Sequence, residues 1–168
     1  MKTLIKTIKI RSGTTFIEVL LYIALLSIVI IFLADIIFQT LSFMLEARNI
    51  SYLDSDARFI TTKIRNDIRR ADSITSPLVA DQASSIIDFV YNAENYSYSL
   101  NNGVLEITDP NGTFRMHSDQ TTVSSFSVTN VSYQDGLPTL NFSIVLQPRA
   151  LVSSSINHIN MDFTVNKR

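Results

Sequence analysis

The chain has no cysteine. No disulfide framework supports its fold, and thiols say nothing of the compartment it occupies. Glycine and proline are scarce, with four of each, and neither occurs between Thr14 and Ser76. So long a stretch without a strong helix breaker predicts one extended helix. Pro77 should end it, because the residue before a proline disfavours helical geometry. A phosphate-binding loop, a nucleophile elbow and a metal-spaced histidine pair are also missing, so no catalytic constellation stands out. His117 and His158 are single residues on predicted strands and are expected at the surface. Net charge is −1, with no basic surface to suggest nucleic-acid binding. Acidic residues are missing from the first thirteen positions, which hold Lys2, Lys6, Lys9 and Arg11. That basic flank predicts a cytoplasmic amino terminus and an outward-facing remainder.

The stretch Gly13-Thr14-Thr15-Phe16-Ile17-Glu18 leads into an apolar run from Val19 to Ala34. As a helix, Phe16 to Ala34 is about 28 Å long at about 1.5 Å per residue. That nearly matches a bilayer hydrocarbon core of about 30 Å. One carboxylate, Glu18, interrupts the run. An acidic side chain inside a spanning helix costs roughly 2.5–3.5 kcal/mol on insertion scales and calls for a partner. On one reading Glu18 sits at the cytoplasmic interface and stays hydrated. On the other the chain is cut after Gly13, and Thr14 becomes a positively charged amino terminus four residues before Glu18. Amine and carboxylate then neutralise one another between neighbouring chains. A secretory signal is the rival for this terminus, but its apolar core is shorter and Leu33-Ala34-Asp35 lacks the small-x-small cleavage pattern.

A basic leader, Gly, a short apolar stretch, Glu as the fifth residue after the Gly and a long apolar helix together resemble the type IV pilin signature. That superfamily includes pilins and the pseudopilins of type II secretion. The resemblance covers residues 11–34. It implies a leader at residues 1–13, removed after Gly13 by a prepilin peptidase/methyltransferase that also methylates the amine of Thr14. It implies a filament in which Glu18 pairs with that amine, with Thr14, Phe16 and Glu18 serving subunit assembly. Implied partners are other pilin or pseudopilin subunits, an inner-membrane assembly platform and membrane lipid; no cofactor or enzymatic activity is implied. The chain departs from the pattern at Thr14, where Phe is usual, with Phe16 two positions later. It also lacks the disulfide with which many pilins close their carboxy-terminal region. Without the leader, ten basic residues face fifteen acidic ones, a net charge of about −5. Many filament-building pilins carry a proline or glycine after the spanning segment; the helix here, having none, should resist melting on assembly.

Residues 14–35 are thus read as the membrane-spanning or filament-core half of the helix and 36–76 as its amphipathic half. Asp35 falls where the span meets the outer interface and should be hydrated. Ile50, Leu53, Ala57, Ile60, Ile64 and Ile68 recur at three and four, one stripe of an amphipathic helix. Asp54, Asp56, Lys63, Arg65, Asp67, Arg69 and Arg70 are expected to form a solvated opposite face with spaced ion pairs.

Residues 77–168 read as a β-rich domain, and from Ile86 onward the period drops to two. Ile87, Phe89 and Tyr91 form one alternating set, and Tyr96, Tyr98 and Leu100 another. Asn101-Asn102-Gly103 reads as a hairpin turn, Leu105 and Ile107 as a third strand. Asp109-Pro110-Asn111-Gly112 reads as a second turn, followed by Phe114 and Met116. Asp109, Asn111 and Asp119 do not have the spacing of a 12-residue calcium loop, so no metal is assigned. A phase change between Val128 and Val131 predicts a β-bulge near Thr129-Asn130. Asp135-Gly136-Leu137-Pro138 leads to strands bearing Leu140, Phe142, Ile144 and Leu146, then Ile159, Met161, Phe163 and Val165. The Asn-x-Ser/Thr triplets beginning at Asn49, Asn95, Asn111, Asn130 and Asn141 are expected by chance in so Asn- and Ser-rich a chain, and no glycan is assigned. An antiparallel sheet of this size needs its apolar face covered, and the stripe from Ile50 to Ile68 is the natural cover.

The expected fold is therefore α+β and pilin-like, a long amino-terminal helix packed on an antiparallel sheet domain. Arg65-Asn66-Asp67-Ile68-Arg69-Arg70-Ala71, the strand-rich domain and the Asp-Gly turn before a late strand resemble the minor pilin W and pseudopilin J families. The resemblance implies a low-abundance, non-enzymatic subunit near a filament tip that helps to prime assembly. The alternative is an uncleaved single-pass anchored binding module, an adhesin or sensor. An anchored hydrolase ranks last.

Overall fold

The computed structural model describes residues 15–77, 79–132, 138–149 and 158–167. The expected leader, Gly13, Thr14 and the turn residues Asp135, Gly136 and Leu137 lie outside the described residues. The fold is α+β, one long helix followed by antiparallel strands. The helix, α1 (Phe16–Arg70), runs without interruption. By internal contacts the chain forms two compact units, Met1–Phe43 and Met44–Arg168.

In the first unit the helix is apolar on every side. From Phe16 to Phe43 every Leu, Ile, Val, Phe and Tyr is exposed, from 42% at Val19 to 80% at Phe16. This segment is long and apolar enough to cross a membrane. Three of its hydroxyls are turned back onto the helix itself. Ser27 Oγ donates to the Ile23 carbonyl at 2.8 Å, Thr40 Oγ1 to Ile36 at 2.7 Å and Ser42 Oγ to Phe38 at 2.9 Å. Such back-bonding satisfies a polar group without a partner from outside the helix.

Among the described residues the second unit has nine strands in two sheets. The first sheet has the order β1 (Ser73–Ser76), β3 (Ile86–Tyr91), β4 (Glu94–Asn101), β5 (Val104–Asp109), β6 (Gly112–Arg115). Within it β3 to β6 form a meander of consecutive antiparallel strands. The second has the order β2 (Ala83–Ser84), β7 (Thr121–Asn130), β8 (Thr139–Pro148), β9 (Ile159–Asn166). All named pairings are antiparallel.

Alternation sets which side chains enter the core. Ile87, Phe89, Tyr98, Leu105 and Ile107 come from the first sheet, and Val123, Phe126, Val128, Leu140, Phe142, Ile144, Leu146, Met161 and Val165 from the second. The expected helix stripe joins them in one cluster. Leu53, Ile60, Ile64 and Ile68 are fully buried and Ala57 nearly so, while Ile50 is half-buried. Each fully buried side chain contributes about 1.5–3 kcal/mol relative to an exposed one. The stripe is what closes the core.

Both expected hairpin turns are present. Asn102 and Gly103 have φ of 47° and 79°, the positive values a two-residue I′ turn requires. A Cβ added at Gly103 would also meet Thr122 Oγ1 at 3.3 Å. In the second turn, Asp109 Oδ1 accepts from the Asn111 and Gly112 amides at 2.8 and 3.0 Å, which fully employs that oxygen without a cation.

Two boundaries differ from expectation. The helix ends at Arg70, not Ser76, although no breaker precedes Pro77. The Asp72 amide donates to the Val90 carbonyl at 2.7 Å, and β1 pairs with β3 through Ser73–Val90 and Ile74–Phe89. Long-range pairing thus overrides local propensity. The bulge is not at Thr129-Asn130, which pair regularly with Asn141 and Leu140. It lies between Val123 and Ser125. Val123 and Phe126 are both buried but three apart, and only an extra residue lets them share a face.

Candidate functional site

Two sets of polar side chains matter for function, one in each unit. The first is at the start of α1. Thr15 caps the helix: its carbonyl and Oγ1 accept from the Glu18 amide at 3.0 and 3.4 Å. A threonine three residues before a glutamate is the spacing of a capping box. The Glu18 carboxylate does not reach back, however. Its Oε1 accepts a long hydrogen bond, 3.3 Å, from the Tyr22 hydroxyl one turn on. Its Oε2 has no partner among the described residues. An anion in the first turn is favoured by the helix dipole, but only by about 0.3–1 kcal/mol at exposed positions. Glu18 is the single Asp, Glu, Lys, Arg or His between Phe16 and Ala34, and one of its oxygens has no partner among the described residues.

Phe16 is the most exposed of the apolar side chains in this turn. Gly13 and Thr14, expected to be cut apart, lie outside the described residues. Sequence reasoning missed both Thr15 and Tyr22. The capping-box spacing signals the first, and the four-residue step from Glu18 to Tyr22 signals the second.

The second set belongs to the amphipathic part of the helix, whose polar side was expected to be solvated throughout. Asp54 and Arg58 fit that expectation, forming an exposed ion pair at 2.9 Å. Asp56, Arg65 and Asp67 do not. They flank the apolar stripe, and the strands meet them with polar groups of their own. Asp56 Oδ2 accepts from the Ser118 amide at 3.1 Å, Ser118 Oγ at 2.7 Å and Thr121 Oγ1 at 2.5 Å. Asp67 accepts from the Tyr98 hydroxyl and pairs with Lys63 at 2.9 Å. Arg65 lies 5.8 Å from the centroid of the Phe163 ring, a cation–π distance.

His117 is also a correction. It is 8% exposed, not a surface side chain. Its Nε2 accepts from the Leu105 amide at 3.3 Å, so Nδ1 carries the proton and faces the Ser118 carbonyl at 2.9 Å and Thr121 Oγ1 at 3.2 Å. Thr121 in turn donates to Asp56, which ties imidazole, hydroxyl and carboxylate together across sixty-odd residues of sequence. Burial pulls the His117 pKa below its usual value; the Ser118 carbonyl opposes this and Arg115 adds to it. Burial, and then the neighbouring Asp67 charge, push the Tyr98 hydroxyl far up, so it remains a neutral donor. His158, just before β9, is exposed as expected.

The arrangement around Asp56 ties the helix to Ser118 and Thr121 of the sheet unit. Among the described residues no cluster of His, Asp and Glu has the makings of a metal site. Arg115 and Asp119 form an ion pair with each other.

No family model, curated protein or solved structure matches this chain.

Proposed function

We propose that the chain is a minor pilin or pseudopilin, a non-enzymatic subunit of a type IV pilus or of a type II secretion pseudopilus. The observation that carries this reading is Glu18, a lone carboxylate with one oxygen unpartnered among the described residues, at the head of a helix that is apolar on every side. The hydroxyls of Ser27, Thr40 and Ser42 in that segment are satisfied on their own backbone. A carboxylate can only accept, so Glu18 needs a further donor from elsewhere.

Cleavage after Gly13 supplies one. The new ammonium at Thr14 lies four residues from Glu18, so the same short segment carries both charges. Neighbouring subunits offset by that distance exchange them, amine to carboxylate, along a bundle of helices. In lipid, an unpaired Glu18 stands against insertion by roughly 2.5–3.5 kcal/mol, and pairing removes most of that penalty on assembly. The prepilin peptidase/methyltransferase, companion subunits, the inner-membrane platform and the lipid are the partners this mechanism needs.

Two substitutions test the reading. Glu18→Ala should leave membrane insertion intact and impair incorporation into filaments, measured by sheared-filament immunoblotting. Normal incorporation would remove the pairing role. Gly13→Leu should block processing, seen as an unshifted band beside co-expressed peptidase. If the unaltered chain is itself never shifted, a single-pass anchored binding module becomes the better account.

A further inference from the structure

A recess of about 160 Å³ opens between the last turns of α1 and the β3–β4 hairpin, lined by Lys63, Asp67, Arg70, Phe89, Tyr91 and Tyr96. It lies wholly within the second unit. A cavity of roughly 150 Å³ accepts one six-membered ring such as benzene, so this is room for a ring and not for a chain.

Its two walls differ in chemistry. The strand wall is aromatic. Phe89 and Tyr96 stack with centroids 5.4 Å apart and planes at 16°, and Tyr91 meets Tyr96 at 6.2 Å and 59°. Tyr91 and Tyr96 therefore form an open V of ring faces. The helix wall is cationic, because its one carboxylate is already spent. Asp67 takes Lys63 on both oxygens, at 3.1 and 2.9 Å, and the Tyr98 hydroxyl as well. Arg70 has no ion pair among the described residues, and the Tyr91 hydroxyl has no hydrogen-bond partner there.

Glu94 and Asp109 bring negative charge to Tyr96, and the Asp72 carboxylate lies beside Tyr91, accepting from the Asn92 amide at 2.7 Å. The Tyr96 hydroxyl already donates to Glu94 Oε2, at 3.4 Å. The recess thus offers an angled aromatic wall, a cation without an ion pair among the described residues at its helix side, and an acceptor at Glu94.

A ligand that answers all three is a ring with an apolar face, a carboxylate at one end and hydroxyls at the other. An acidic peptide side chain leaves the aromatic V unused, and a neutral sugar leaves Arg70 unused. We propose that this recess binds one hexuronate unit of an acidic polysaccharide. The sugar's C–H face lies on Tyr91 and Tyr96, its carboxylate meets Arg70 and Lys63, and its hydroxyls donate toward Glu94. Nothing in this depends on cleavage after Gly13 or on filament assembly.

The test is a calorimetric titration of the full chain in detergent micelles with trigalacturonate, its methyl ester and a triglutamate peptide. Trigalacturonate should bind saturably, and the ester, with the same ring and no charge, about tenfold or more weaker, a loss of about 1.4 kcal/mol or more. Arg70→Gln and Tyr91→Ala should each weaken trigalacturonate by about tenfold while the thermal midpoint stays at the unaltered value. Three results would overturn the proposal: no saturable binding of trigalacturonate at millimolar concentration, equal binding of acid and ester, or triglutamate binding as tight as trigalacturonate. The ester comparison needs no variant and so stands even where a substitution disturbs folding.

Discussion

Two parts of one helix are built from much the same apolar residues and behave in opposite ways. Up to Phe43, leucine, isoleucine and phenylalanine point in all directions, and every one is exposed. From Met44 on, polar residues take over most of the circumference, and the apolar ones left in the stripe are buried completely at Leu53, Ile60, Ile64 and Ile68. Burial here follows the placing of polar residues, since a stripe gives the strands one face to cover and an apolar cylinder gives them none. A cylinder with no cover among the described residues is long and apolar enough to cross a membrane. The first part is fitted to its surroundings, the second to the rest of the chain.

The sharpest way to break that contrast is to shorten one isoleucine in each part. Ile64→Ala should lower the unfolding free energy of the second unit by about 2–5 kcal/mol, from lost burial and the cavity left behind. Ile28→Ala should leave it unchanged. Urea titration of the full chain in detergent, followed by tyrosine fluorescence, reads both, and equal losses would erase the distinction.

A smaller effect is expected where polar groups fasten the amphipathic part to the strands. Asp56→Ala strands the Ser118 amide and two hydroxyls, and should cost about 1–3 kcal/mol in the same titration. Asp56→Asn keeps an acceptor and should cost less. No difference between the two variants would mean that the carboxylate is solvated after all.

The same cluster should give the second unit a pH dependence. The folded chain holds the His117 pKa below its usual value, so on acidification the unfolded chain takes up that proton first. Stability is therefore fully present above about pH 6.5, the ordinary histidine value. It falls as pH drops from there toward the folded-state value, then levels off with respect to this group. In His117→Asn that component of the slope should vanish. A slope of the opposite sign would show that the imidazole is better paired when charged.

The least effect belongs to the exposed pair. Arg58→Ala, which breaks the contact with Asp54, should change stability by no more than about 0.5 kcal/mol.

Much of this architecture was legible from periodicity. The stripe from Leu53 to Ile68, the alternation along β8 and β9 and the Asn102-Gly103 turn all follow from local rules that tertiary contacts then reinforce. What local rules left dark came from partners distant in sequence. The stop at Arg70 depends on Val90 and Phe89 pairing with the chain just after the helix. One edge of the second sheet is Ala83 and Ser84 pairing with Thr129 and Val128, a two-residue strand with no pattern to read. The pairing of half-buried Asp56 and the burial of His117 depend on partners that Asp56 finds more than sixty residues away. The turn between β3 and β4 was hidden for a different reason. Ala93 sits at φ 62°, a left-handed conformation that alanine seldom adopts and does not advertise. At the amino terminus the carboxylate was conspicuous, because one charge in an apolar run needs an explanation. Tyr22 was not, because a tyrosine in such a run reads as one more apolar residue.

The account of the first part rests on a positive charge made at Thr14 for Glu18 to meet. Intact-mass spectrometry of the protein purified from its native host tests this most directly. The account predicts a chain beginning at Thr14, with residues 1–13 gone. A native chain that still carries Met1 would contradict it.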